Sequence, residues 1–79
     1  MKLSPNQILV LGILREQGPL TAWEVAERAE MEPTAIKPRI NELVRAGILE
    51  AVGAKLNPST GRANVAYGLA AETSRHIRR

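Results

Sequence analysis

The side chains that could do chemistry are few in this 79-residue chain. There is no cysteine and only one histidine, His76. Thiol nucleophiles, disulfides and Cys-ligated zinc are therefore excluded together, and one His does not make a metal site. His76 lies in a short tail with no second His and no ordered carboxylate pair, so it reads as a solvated side chain rather than a ligand or catalytic base. No paired carboxylates, nucleophile with a base, or phosphate-cradling glycine loop stands at workable spacing. An enzyme is not expected, nor is a cofactor, a metal or a small-molecule ligand. What remains is hydrogen-bond donors and positive charge. Residues 1–33 carry Lys2, Arg15 and Arg28 against Glu16, Glu24, Glu27, Glu30 and Glu32, a net −2. Residues 34–79 carry Lys37, Arg39, Arg45, Lys55, Arg62, Arg75, Arg78 and Arg79 against Glu42, Glu50 and Glu72, a net +5. That polarity suits one basic face for a polyanion, and equally a mixed solvated surface.

Most of these donors fall on one predicted helix. Pro33 opens it after the tight connection Glu30-Met31-Glu32; it reaches Ala46 and is closed by Gly47. With Ile36 at 0° and an advance of about 100° per residue, Ile40 and Leu43 fall at about 40° and 340°, which sets the core face. On the opposite side Asn41, Thr34, Arg45 and Pro38 fall between about 140° and 200°, with Lys37 and Arg39 flanking at about 100° and 300°. The outward face is thus polar and basic, with small residues. Pro38 is irregular, since a proline about one turn inside a helix lacks an N–H and crowds the preceding turn. Either the helix starts late, with Thr34 as N-cap, or its first turn is loosened; the proline is then a helix-start residue or a partner contact.

The remaining elements must carry this helix. Ser4, Pro5 and Gln7 form an N-cap, a first-turn proline and a capping-box partner, which predicts a helix to Gln17, stopped by Gly18-Pro19. Its apolar residues Ile8, Leu9, Val10, Leu11, Ile13 and Leu14 spread around most of the circumference. A domain this small leaves some of them uncovered, so part of the helix is expected to meet a second subunit or the C-terminal tail. Thr21 with Glu24 is a second capping box, starting a short helix with the stripe Ala22, Val25, Ala26 and Ala29. Trp23 flanks that stripe and is expected to pack into the core rather than stack on a ligand, because the chain has no Phe. Segments 48–56 and 63–69 read as strands joined by Asn57-Pro58-Ser59-Thr60-Gly61, with Gly61 free to take positive φ. On the second strand the face of Val65, Tyr67 and Leu69 is expected to be buried, and that of Asn64, Ala66 and Gly68 to carry small residues. Lys55 and Arg62 flank the loop tip. No apolar run approaches the roughly 20 residues of a membrane span, and the start Met-Lys-Leu-Ser-Pro has no signal-peptide pattern, so a soluble cytoplasmic protein is expected, without membrane partners.

Three helices and a hairpin in this order, with the runs Leu20-Thr21-Ala22-Trp23-Glu24-Val25-Ala26, Met31-Glu32-Pro33-Thr34-Ala35-Ile36 and Arg39-Ile40-Asn41-Glu42-Leu43-Val44-Arg45-Ala46-Gly47-Ile48-Leu49, resemble a winged helix-turn-helix domain. The chain is similar to the DNA-binding cores of the multiple-antibiotic-resistance and arsenic-resistance repressor classes, and to small winged-helix proteins of phages and prophages. The resemblance covers about residues 5–69. It implies an α+β domain over residues 1–69, followed by a basic tail over 70–79. It also implies that the third helix enters the major groove of double-stranded DNA while the wing follows the backbone or the minor groove. The matching positions on the third helix are Thr34, Ala35, Lys37, Pro38, Asn41 and Arg45. Asn41 suits adenine, Arg45 guanine or phosphate, and Lys37 and Arg39 phosphates, although Arg39 can instead pair with Glu42. Lys55, Thr60, Arg62 and Asn64 are the wing positions for phosphates or a narrow minor groove, and Thr21 can offer its hydroxyl and neighbouring N–H groups to a phosphate.

A sequence-preferring DNA-binding protein, acting as a small transcriptional regulator, is therefore expected. The alternative is a winged-helix module that docks proteins in a larger assembly, with the glutamates of the first half as its partner face. A homodimer through Leu9, Ile13 and tail residues such as Ile77 is expected, with palindromic half-sites about one helical turn apart.

Overall fold

The computed structural model describes residues 2–70. The order is α1 (Pro5–Gln17), β1 (Leu20–Thr21), α2 (Ala22–Ala29), α3 (Pro33–Arg45), β2 (Leu49–Asn57) and β3 (Arg62–Leu69). Three helices followed by an antiparallel hairpin agree with the expected architecture. Both predicted capping boxes are formed. The Gln7 N–H donates to Ser4 Oγ at 3.3 Å while the Ser4 N–H donates to Gln7 Oε1 at 2.8 Å. The Thr21 N–H donates to Glu24 Oε1 at 2.9 Å, and the Glu24 N–H to Thr21 Oγ1 at 3.2 Å. Each box satisfies helix-end donors that would otherwise lack partners.

The second and third helices end in the same way. After α3 the Gly47 N–H donates to the Val44 carbonyl and the Ile48 N–H to the Leu43 carbonyl, with Gly47 at φ 79°. After α2 the Glu30 N–H donates to the Glu27 carbonyl and the Met31 N–H to the Ala26 carbonyl, with Glu30 itself at φ 56°. A left-handed residue that lets its own N–H and the next one fold back on the last turn stops a helix within one residue. The α2–α3 turn is therefore held by its own backbone.

The core is Val10 and Leu14 of α1, Leu20 of β1, Val25 and Ala26 of α2, Ile36, Ile40 and Leu43 of α3, and Leu49 of β2. Every described element except β3 contributes to it, and Tyr67 and Leu69 of β3 pack against its edge. Gln7 is the buried polar residue that links α1 to α3: its Nε2 donates to Glu42 Oε1 at 3.0 Å.

Four expectations are corrected. The sheet has a third strand, β1, in the order β1–β3–β2, with Leu20 opposite Tyr67 and Thr21 opposite Ala66. The helix bearing Pro38 does not start late: it begins at Pro33 after Glu32, which makes no side-chain cap bond, and Pro38 lies inside it. Trp23 is not a core residue, being 45% exposed. Taking Val25 as 0°, the stripe Ala22, Val25, Ala26, Ala29 centres near 50° and Trp23 lies about 110° away from it, outside the packed face. On β3, Ala66 and Gly68 are buried while Val65 is exposed. A bulge at Val52 brings its side chain over Gly68, where an added Cβ would stand 3.5 Å from Val52 Cγ1 and close to Pro19, while Ala66 is covered on pairing with Thr21 of β1. Before Tyr67 the strand runs out toward the wing tip, so Val65 is exposed although it shares the face of Tyr67.

Candidate nucleic-acid interface

The α3 face opposite Ile36, Ile40 and Leu43 is open. Thr34, Lys37, Pro38, Asn41 and Arg45 are exposed along it, and Ala35 is half-buried at its first turn. Lys37, Asn41 and Arg45 follow one another at four-residue steps, which places them in one row along the helix. Pro38 has no N–H to give the Thr34 carbonyl, so the outer side of the first turn keeps an acceptor free of the helix ladder.

Asn64, Val65 and Tyr67 of β3, Lys37, Ile40 and Asn41 of α3, and Ala22 and Trp23 of α2 together line a groove of about 360 Å³. The wing tip is fixed by short-range bonds. The Thr60 and Gly61 N–H groups donate to the Asn57 carbonyl at 3.2 and 2.8 Å, and the Ser59 N–H to Asn57 Oδ1 at 2.9 Å. Thr60 Oγ1 accepts the Arg62 N–H at 3.3 Å, and Gly61 takes φ 71°. The loop closes on itself and starts β3 with the exposed Arg62.

The ion pairs divide the cations into two groups. Arg15 pairs with Glu16, Arg28 with Glu27, Arg39 with Glu42 and Lys55 with Glu24. Among the described residues Lys37, Arg45 and Arg62 form no ion pair. Glu16, Glu24, Glu27 and Glu42 thus neutralise cations away from the α3 row and the wing tip, and among the described residues these three and Lys2, at the start of the chain, are left unpaired. A cation without an internal partner is free to neutralise an external anion.

Several site residues expected from the sequence are held by the protein itself. Arg39 Nε and Nη2 donate to Glu42 Oε1 and Oε2 at 2.9 and 3.0 Å, so the alternative of an internal pair is the one formed. Gln7 donates to the same Glu42 and completes the network. Lys55 Nζ donates to the Pro19 carbonyl at 2.7 Å and to Glu24 Oε1 at 3.3 Å, which ties the wing to the start of α2. Thr21 is buried, and its hydroxyl is occupied by the Glu24 N–H. The Glu24 carboxyl is held below its ordinary value, first by the Thr21 N–H and then by Lys55 and Arg28, with burial opposing them. On α1, Leu9 is exposed while Ile13 is half-buried against the core, and Ile8 is more exposed than either. Ile77 and His76 lie outside the described residues. The residues that sequence reasoning missed at this surface are Trp23, in the groove, and Gln7, behind α3. The angle of Trp23 on α2 was the available signal for the first. No local signal marks the second, because its partner is 35 positions away.

No group of His, Cys, Asp and Glu among the described residues is disposed to hold a metal, and no described helix is long and apolar enough to cross a membrane.

The MarR family model matches residues 3–51, and the chain belongs to that family. No curated protein sequence matches it. Among solved structures it is similar to YusO of Bacillus subtilis, with 25% identity and a TM-score of 0.75 over 96% of this chain and 51% of that one. It is similar also to a probable transcriptional regulator of Pseudomonas aeruginosa, with 22% identity and a TM-score of 0.75 over 96% of this chain and 55% of that one. A third is an overoxidized AbfR bound to DNA, with 18% identity and a TM-score of 0.74 over 96% of this chain and 53% of that one. The chain spans about half the length of these proteins.

Proposed function

We propose that this MarR-family chain binds double-stranded DNA as a transcriptional regulator, with α3 in the major groove and the β2–β3 wing on the adjoining backbone or minor groove. The observation that carries the reading is the division of the cations on α3 and the wing: among the described residues Lys37, Arg45 and Arg62 are unpaired, while Arg39 and Lys55 are neutralised internally. The major groove, about 12 Å wide, admits a helix, and the Lys37–Asn41–Arg45 row presents it with donors for guanine, adenine and phosphate. Support from likeness is that a structural neighbour, AbfR, is bound to DNA. The reading assigns the chain no catalytic step. It gives Arg62 the wing contact, Asn41 the base edge, and Thr34, Ala35, Pro38, Thr60 and Asn64 positions along the path. Lys55, Arg39 and Thr21 become supports of the surface rather than contacts.

The same reading includes a homodimer through α1, supported by Ile8 at 57% and Leu9 at 40% exposure on one helix. Apolar side chains so placed are covered when a second copy packs there. Rounds of selection from a random duplex library test both parts at once. Recovery of a sequence with two related half-sites about one helical turn apart is expected. Failure to enrich any sequence, with no binding at low salt, would instead favour the protein-docking alternative.

A further inference from the structure

Trp23 is the largest of the side chains lining the groove between α3 and the wing that neither charge nor helix patterning assigns to DNA. Trp23 is the second residue of α2, fixed in place by the Thr21–Glu24 capping box on either side of it. It is 45% exposed in a chain that has no Phe and no other Trp, and whose core is built from aliphatic residues. It borders two depressions: the groove that holds Lys37, Asn41 and Asn64, and a smaller one of about 190 Å³ under the wing, with Lys55 and Asn57. Its indole therefore lies between the helix that carries the donor row and the hairpin that carries Arg62. A large, half-exposed aromatic lining a groove beside hydrogen-bond donors is the usual form of a binding anchor, because its face is apolar and its edge carries a single N–H donor.

We propose that Trp23 contacts the sugar–phosphate strand that runs between α3 and the wing, its ring against deoxyribose and its Nε1–H donated to a phosphate oxygen. This rests on the DNA-binding reading above. The bases of an intact duplex are stacked and present only their edges in the grooves, so the ring has no base face to meet without a kink, whereas the strand offers both an apolar sugar and an acceptor. The indole is neutral. It therefore releases no counterion, and its contribution is independent of both sequence and salt. That separates it from Lys37, Arg45 and Arg62, whose contacts steepen the salt dependence.

Binding of a fluorescein-labelled random-sequence duplex is followed by anisotropy, and in parallel the emission of the sole Trp is followed as unlabelled duplex is added. The Trp emission is expected to change along the same isotherm as the anisotropy. Trp23→Ala is expected to weaken binding by roughly tenfold, equally for random and selected duplexes, with the wild-type salt slope. Trp23→Phe, which keeps a ring but loses the donor, is expected to lie between the two. Binding with silent Trp emission, an unchanged affinity in Trp23→Ala, or a loss confined to particular sequences would each overturn the assignment of Trp23 while leaving DNA binding intact. Absence of any anisotropy change at low salt would defeat the DNA reading itself, and this contact with it. The wild-type emission needs no variant, so the test stands even if Trp23→Ala folds poorly.

Discussion

At the scale of single residues, position and partner together decide what a cation can do. Arg39 and Lys37 are two residues apart on α3, yet Arg39 is held in a fork on Glu42 and Lys37 has no ionic partner among the described residues. Arg39→Ala is expected to cost about 0.5–1 kcal/mol of stability in urea melts, the size of a partly exposed bidentate pair, and to leave the salt slope of DNA binding unchanged. Arg62→Ala is expected to do the reverse, with unchanged stability and a salt slope lowered by about 1. The helix angles alone placed the outward face correctly, since Thr34, Lys37, Pro38, Asn41 and Arg45 are all exposed. They did not choose between the two fates of Arg39, because pairing across one turn and pairing with a phosphate need the same side chain. Lys55 was less legible still. Its partners, the Pro19 carbonyl and Glu24, lie more than 30 positions away and meet it only when the wing folds over α2.

At the scale of elements, what was legible is what the backbone decides within a few residues. Ser4 with Gln7, Thr21 with Glu24, and Gly47 and Gly61 at positive φ each mark an end or a turn through local bonds. The strand β1 is only two residues long, and its pairing with Tyr67 and Ala66 is entirely tertiary, so no periodicity could announce it. The bulge at Val52 is hidden for the same reason, and it covers Gly68 on the side of β3 opposite Tyr67 and Leu69. Glu30 occupies the left-handed position after α2 without being glycine, at φ 56°. Glu30→Gly is therefore expected to raise stability by about 0.5–1 kcal/mol in urea melts, by removing side-chain strain from the turn. Glu24 joins α2 to the wing, and its carboxyl titrates below the ordinary 4.5. A carboxyl lowered in the folded state contributes stability in full above its unfolded value and loses it as pH falls through its folded value. Urea melts are expected to show wild type losing stability on acidification below about pH 4.5 more steeply than Glu24→Gln, which keeps the acceptor for the Thr21 N–H but not the charge.

At the scale of the whole molecule, the charge asymmetry read from the sequence becomes a division of surfaces. Glu16, Glu24, Glu27 and Glu42 pair with Arg15, Lys55, Arg28 and Arg39 across the rest of the surface, and among the described residues the α3 row and the wing tip keep their charge. Helix α1 lies on the core through Val10 and Leu14 and leaves Ile8 and Leu9 exposed. A double substitution, Ile8→Glu with Leu9→Glu, is expected to shift the species seen by light scattering from dimer to monomer without unfolding the domain; a wild-type monomer at high concentration would contradict that assembly. The central claim is that Lys37, Arg45 and Arg62 act together on a polyanion. The most direct test is duplex affinity across a salt series for wild type and for the triple variant Lys37→Ala, Arg45→Ala, Arg62→Ala. Each phosphate contact contributes about 0.9 to the slope on B-form DNA, so the triple variant is expected to bind weakly with a slope lower by roughly 2 to 3. A wild-type protein that fails to bind at low salt, or a triple variant that binds with the wild-type slope, would contradict it.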